Sequence, residues 1–388
     1  MYCQVIVDIA HENVARPFIY RIPDGIRLSP GQRVTVPFRS GEKEGIVLAL
    51  TETAGMDPSR IKEVIRPLED YPAVLPAMMA LAEEMTETAH CTLAEALRLM
   101  IPAEMRGGRV KMREERLIAL AVSREAAESA ILEEKRSEKK RAILRMLLEE
   151  SPRDRKEILA GVRDPQDALK GLEKAGLIRT DSRESLRTPG STLPLDNEAW
   201  HTLTEAQQEA LHEILPALRQ GTGRFLLHGV TGSGKTEVFL NAVRETLKMG
   251  RSAIILVPEI ALTPQMVRWF RARFGPVAAV LHSRLSAGER YDEWRRIRRG
   301  EARVVIGARS AIFAPTEALG LIVIDEEHET TYQSEHRPRY DARETAESRC
   351  RREGASLILA SATPSILSFA RARRGDYMLL EMPRRVAD

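Results

Sequence analysis

The run Gly229-Val230-Thr231-Gly232-Ser233-Gly234-Lys235-Thr236 has the spacing G-x-x-x-x-G-K-[ST] and lies between the apolar run FLLH and the helical run EVFLNAVRETL. With a strand before it and a helix after it, such a loop turns tightly on its glycines. Its successive N–H groups then converge on phosphate oxygens at a helix N-terminus. Lys235 would neutralise the β- and γ-phosphates of a nucleoside triphosphate, and the Thr236 hydroxyl would ligate Mg²⁺. A second constellation, Asp325-Glu326-Glu327-His328, follows the apolar run LIVI. A buried strand that ends in two carboxylates delivers them where open α/β sheets bind ligands. Asp325 would hold Mg²⁺ through its waters, and Glu326 would orient an attacking water and accept its proton.

Those residues need a scaffold. From Thr204 onward helical segments alternate with the runs FLLH, AIILV, AAVL, RVVI, LIVI and LILA, most of them solidly apolar. Unbroken apolar strands between helices predict a parallel sheet covered on both faces. The first fifty residues read differently, as QVIVDIA, FIYRIP, QRVTVPF and EGIVLAL between Pro/Gly turns, which predicts a small barrel or compact sheet. Helical spacing takes over after Tyr71-Pro72, in MMALAEEM and CTLAEALRLMIP. Between about Arg113 and Leu186 the pattern predicts three short helices and a strand. The first helix is Glu138 to Glu149, the second ends near Gly161, and the third is capped by Asp164 before Pro165. The basic tip Arg179, Arg183 and Arg187 follows. This is the pattern of a winged helix or of a helical spacer. Residues 187–199 read as a linker.

Composition narrows the classes. The chain has 388 residues, 43% hydrophobic and 30% charged, and a net charge of +3. Any polyanion is therefore gripped by local patches rather than by a global field. The apolar runs are far shorter than the roughly 20 residues a membrane span needs, and no secretory leader is expected. Cys3, Cys91 and Cys350 are widely spaced and form no C-x-x-C pair, which argues against a zinc cluster or a disulfide framework. A cytoplasmic protein is expected.

In this order the motifs resemble the superfamily-2 helicases, whose second motif is DExH, with His328 closing it. Ser361-Ala362-Thr363 resembles their third motif, which couples the γ-phosphate to movement; a cap for the next helix is the alternative. Gln207, in Thr204-Glu205-Ala206-Gln207, resembles the glutamine that reads adenine, while Thr204 and Gln207 equally have capping-box spacing. The stretches VPEIALTPQ, with Pro258 and Thr263, and GARSA, with Arg309 and Ser310, resemble strand-end motifs that touch the DNA backbone. The arginines of the helix from Ala287 to Arg299 form a DNA-facing or merely solvated surface.

Together GVTGSGKTEVF, LVPEIALTPQ, IGARSAIFAP and VIDEEHETTYQ resemble the PriA-type primosomal replication-restart helicases along the whole chain. The resemblance implies a multidomain protein. Residues 1–106 would form a β-barrel-like 3′-end DNA-binding domain and 113–186 a winged-helix domain. Residues 200–388 would be an α/β RecA-like lobe using ATP and Mg²⁺. Phe18, Tyr20 and Lys62 would bind the 3′ end, though Ile19 stands where some members place an acid, and Phe18 and Tyr20 suit a barrel core equally. The loop from Thr330 to Arg343, with Tyr332, Arg339 and Tyr340, would sense DNA.

The family's second lobe, arginine finger and zinc-binding cysteine cluster are not in this chain, which reads as truncated. The expected partners are branched and single-stranded DNA, single-stranded-DNA-binding protein and primosome components. A DNA- and nucleotide-binding fragment without catalysis, and a double-stranded-DNA translocase, are the competing readings.

Overall fold

The computed structural model describes residues 1–9, 16–108, 113–185 and 200–386. They fall into two compact units, Met1–Val110 with Pro189–Asp388, and Lys111–Thr188.

The front of the first unit is an antiparallel sheet of β1 (Tyr2–Val7), β2 (Phe18–Arg21), β3 (Arg33–Phe38), β4 (Gly41–Thr51) and β5 (Arg66–Pro67), in the order β2-β1-β4-β3-β5. The segment before β5 closes it. Arg21 N donates to Lys62 O and Val64 N to Arg21 O, while Ile65 N donates to Thr35 O, so one stretch bonds both β2 and β3. A closed sheet leaves few unpaired edge groups. Cys3, Val5 and Val7 alternate into the barrel with Tyr20, Val34, Val36 and Val47. Ile6 and Ile46 face outward and are covered by helices α1 (Pro76–Thr88) and α2 (Leu93–Met100). Thr92 and Glu95 form a capping box that starts α2.

The second unit contains β6 (Arg113–Leu120), α3 (Arg124–Glu133), α4 (Glu138–Glu149), β7 (Arg153–Asp154), α5 (Arg155–Gly161), α6 (Gln166–Lys174) and β8 (Ile178–Ser185). Its sheet runs β7-β6-β8, over a core of Ile118, Ile143, Leu147, Ile158, Leu169 and Leu172. The three expected helices are α4, α5 and α6, preceded by a strand and a helix that the pattern did not suggest. Asp164 is not the cap of α6. Its φ is +49°, in the left-handed region rather than the extended one that a capping residue adopts, and the N-cap is Pro165.

The rest of the first unit is the α/β layer. It comprises α7 (Glu205–Gln220), β9 (Arg224–Gly229), α8 (Lys235–Lys248), β10 (Ser252–Leu256), α9 (Pro264–Phe274), β11 (Ala278–Leu281), α10 (Ala287–Arg298), β12 (Val304–Gly307) and β13 (Leu319–Ile324). It continues through α11 (Ala342–Glu353), β14 (Ser356–Ser361), α12 (Ile366–Arg374) and β15 (Met378–Met382). Seven parallel strands run in the order β11-β12-β10-β13-β14-β9-β15. Alternate residues serve opposite faces: Ile254, Leu256, Ile322 and Ile324 point to one core, and Ala253, Ile255, Leu321 and Val323 to the other. The first of these cores is shared with α1 and α2. The sequence pattern missed β15, an edge strand with a broken apolar run that leaves Met378 half exposed.

Two arginine arrangements stabilise this layer. Arg349 of α11 is 1% exposed and donates to Ile312 O (2.6 Å), Ala314 O (3.1 Å) and Thr316 Oγ1 (3.2 Å), and to Glu353 Oε1 (2.7 Å). Trp200 is faced by the guanidinium groups of Arg244 and Arg273, 4.3 and 5.1 Å from its ring centre. Among the described residues no helix is long and apolar enough to cross a membrane.

Candidate nucleotide site and nucleic-acid interface

β9 ends at Gly229 and α8 begins at Lys235, so the loop between them hangs on the sheet's carboxyl edge. Gly232 and Gly234 have φ of +85° and +80°, which side-chain-bearing residues rarely adopt. A Cβ at Gly234 would also fall 2.1 Å from Gln207 Nε2. Lys235 is buried and donates from Nζ to Gly229 O at 2.8 Å. Ser233 Oγ is buried with no hydrogen-bond partner. A buried hydroxyl left without a partner costs about 1–3 kcal/mol, and a phosphate oxygen in the loop would relieve it. These residues fit a nucleoside phosphate.

Gln207 takes up its capping-box reading in full. Its capping box with Thr204 is formed, and its Nε2 donates to Ser233 O (3.3 Å) and Gly234 O (3.5 Å). The amide is 3% exposed and braces the loop rather than facing open space.

β13 lies one strand away from β9, across β14. Asp325 N donates to Leu256 O, and Glu326 N to Asp325 Oδ1 at 3.0 Å. Burial, followed by the neighbouring Glu326 charge, pushes the Asp325 carboxyl up to about 6; the Glu326 N–H bond and Lys235 oppose the rise. Glu326 has φ +45°, a left-handed turn that follows directly on the strand. His328 Nδ1 is 2.8 Å from Ser361 Oγ and 3.5 Å from Glu326 Oε2. Ser361 Oγ also accepts from Thr363 N at 3.0 Å, while Thr363 itself is exposed. The acidic turn and the Ser-Ala-Thr segment are thus in direct contact. Ser365, not Ser361 or Thr363, caps α12. Thr236 is half-buried on the first turn of α8.

The raised Asp325 carboxyl makes a stability prediction. Because its folded pKa lies above its unfolded value near 4, stability falls as pH rises from about 4 to 6, and the cost is complete above 6. Asp325→Asn is expected to stabilise the protein by about 2–3 kcal/mol at pH 7.5. Thermal unfolding at two pH values checks it. An equal gain at pH 4 would assign the effect to something other than charge burial.

The strand-end residues are placed unevenly. A cleft of about 880 Å³ at the carboxyl edge is lined by Arg309, Ser310, Tyr332 and Arg339, by Arg290 of the arginine-dense helix, and by His282, which the motif reading did not single out. Ser310 and Arg339 are exposed. Arg309 donates to the carbonyls of Thr331 and Gln333 and lies 5.7 Å from the Tyr340 ring, which packs edge-on against Phe313. Pro258 is buried and has no N–H to offer a phosphate; exposed Thr263 caps α9, its hydroxyl oxygen accepting from Met266 N at 3.2 Å.

Tyr332 is not a stacking residue here. It is 1% exposed and its hydroxyl donates to Asp325 O at 2.6 Å, since a buried phenol needs an acceptor. The arginines of α10 are largely spent inside the protein. Arg295 is buried, Arg290 pairs with Glu104, Arg296 with Glu293, and Arg298 donates to Pro72 O and Glu317.

On the barrel, Phe18 meets Phe38 edge-on at 5.2 Å, with Arg16 5.8 Å from the first ring and Arg39 5.8 Å from the second. Exposed Lys62 reaches Arg39 O. Phe38, Arg16 and Arg39 stand beside the expected Phe18 and Lys62. Tyr20 belongs to the core instead. It is 4% exposed, bonds Pro37 O, and burial pushes its hydroxyl up to about 12. In the second unit Arg179 is exposed and paired with Asp181 at 3.0 Å. The side chain of Arg183, together with Arg187 and the linker 187–199, lies outside the described residues.

A phosphate loop and an acidic turn on one edge of a doubly covered parallel sheet, wired to a Ser-Ala-Thr segment, define a DEAD/DEAH box helicase lobe. Residues 204–370 match the family model of that description. Residues 4–102 match the PriA 3′ DNA-binding domain model. The chain is 35% identical to the replication restart protein PriA of Bacillus subtilis (strain 168), over 99% of this chain and 56% of that protein. It is 34% identical to the protein of the same name from Chlamydia pneumoniae, over 100% and 52%. A RecG structure bound to a three-way DNA junction is 25% identical, with a TM-score of 0.36, over 50% of this chain and 24% of that one. The chain belongs with the PriA-type helicases, and it spans about half the length of the curated relatives it matches.

Proposed function

We propose that this chain supplies the DNA-recognition part and first motor lobe of an ATP-dependent 3′-to-5′ DNA helicase. In this reading the helicase acts at stalled replication forks and prepares them for primosome assembly in the cytoplasm. The observation that supports it best is the unpartnered Ser233 hydroxyl in the loop held by Lys235. Lys235 would exchange Gly229 O for phosphate oxygens. Thr236 and Asp325 would hold Mg²⁺, which neutralises charge on the phosphates. Glu326 would orient water and take its proton, and His328, bonded to Ser361, would pass the state of that acid to Ser361 and Thr363.

The cleft with Arg309, Ser310 and Arg339 would track a DNA backbone. The Phe18–Phe38 pair with Arg16, Arg39 and Lys62 would receive a 3′ end by stacking and charge. Residues 113–186 would act as a winged-helix DNA-binding domain, and single-stranded-DNA-binding protein and primosome components would be partners.

Binding of a fluorescent ATP analogue with magnesium, and of a fork with a 3′ end at its junction against blunt duplex, tests this reading. No nucleotide binding would remove the motor, and equal affinity for the two DNAs would remove the 3′-end pocket. For the second unit, alanines at Arg179, Arg183 and Arg187 are expected to flatten the salt dependence of DNA binding by about one unit per lost phosphate contact. An unchanged slope would return them to the ordinary surface.

A further inference from the structure

Helices α2, α7 and α10 each begin with a capping box completed within the helix: Thr92 with Glu95, Thr204 with Gln207, and Ser286 with Glu289. Helix α12 departs from this. Its N-cap is Ser365, and the position three residues on, where the acid or amide would sit, is Ser368. The carboxyl comes instead from Glu327, 38 residues earlier. Glu327 is 0% exposed and accepts from Ser365 N (2.6 Å), Ser365 Oγ (3.1 Å) and Ser368 Oγ (2.8 Å).

Its backbone is equally committed. Glu327 N donates to Ala360 O at 3.0 Å, and Glu327 O accepts from Arg343 Nη1 at 2.7 Å. Asp325 and Glu326 precede it directly. Any rotation of that turn must therefore drag the first turn of α12, where Ile366 and Leu367 are 90% and 60% exposed. Ser365 Oγ accepts from Ser368 N, so α12 has its own N-cap; what it takes from the acidic turn is the carboxylate of the capping box, and those bonds tie the first turn of α12 to that turn.

We propose that Glu327 is a positioning residue that makes α12 follow the nucleotide state of the Asp325–Glu326 turn. The proposal rests on the nucleotide reading of the phosphate loop. Hydrogen exchange of the whole chain, with and without ATPγS and magnesium, reads it. In the unsubstituted protein the nucleotide is expected to slow exchange in both 325–330 and 365–370.

The double variant Glu327→Ala/Ser368→Glu moves the acid into the helix, so α12 keeps a cap but loses its tie to the turn. It should bind the nucleotide within about threefold of the original, with a response at 325–330 and none at 365–370. Glu327→Gln, which keeps an acceptor for Ser365 N, should restore the response.

A response at 365–370 that survives the double variant, or is missing from the unsubstituted protein although nucleotide binds, overturns the proposal and leaves the loop assignment standing. Failure of the unsubstituted protein to bind ATPγS overturns both.

Discussion

Lys235→Ala is expected to weaken binding of magnesium–ATP by at least about 100-fold while leaving fork affinity within about twofold. The ammonium would make two charge-assisted contacts to phosphate, each worth roughly 1.5–3 kcal/mol, and nothing else among the loop residues is cationic. Its own hydrogen bonds go to the carbonyls of Gly229 and Val230. Losing those bonds costs stability about 1.5–3 kcal/mol, the shorter one accounting for most of it. A thermal melt should therefore separate lost binding from lost fold. The DNA-facing candidates lie at the ends of β10 and β12 and on the barrel, away from this ammonium. Fluorescence titration with nucleotide and with forked DNA checks the pair of expectations. Parallel loss of both would mean the two sites are one.

The second large effect concerns Arg349. Its guanidinium satisfies Ile312 O, Ala314 O, Thr316 Oγ1 and Glu353 in a dry interior. Truncation strands two carbonyls and a carboxyl whose side chain is 10% exposed. Removing one partner of a buried pair costs about 3–5 kcal/mol, so in a unit of this size Arg349→Ala should lower the unfolding midpoint by about 5–8 °C. Arg349→Lys should recover little, because an ammonium cannot present the same fork of donors. A melt unchanged within about 2 °C would show that water replaces the guanidinium without penalty. The same residue supports the turn Arg309–Phe313, so Arg349→Ala should also weaken DNA binding at temperatures where it is still folded.

The α/β layer was legible because its signals are local. A glycine-rich loop between an apolar strand and a helix, and an acidic run that ends another strand, need no knowledge of distant partners. Boundaries of β10, β12 and β13 fall within a residue or two of the apolar runs. Aromatic roles were harder to read. Tyr20 and Tyr332 sit in stretches that suit DNA contact, but each hydroxyl has a carbonyl within reach, Pro37 O or Asp325 O, and that decides for the interior.

In the arginine-dense helix α10 the pairing of Arg296 with Glu293 is local, but the other acceptors are not: Glu104 is 186 residues away from Arg290 and Pro72 is 226 away from Arg298. Glu327 was opaque for the same reason. As the variable letter of its motif it offers no pattern, and its serine partners lie 38 and 41 residues further on.

The guanidinium groups around Trp200 have a practical consequence. All three tryptophans, Trp200, Trp269 and Trp294, belong to the α/β layer, and two of them lie beside Arg273. Indole emission is therefore a built-in optical label for the lobe alone, to which everything before Trp200 contributes only tyrosine signal. Melting traced by that light and melting traced by far-ultraviolet dichroism will superimpose only where the two units come apart together.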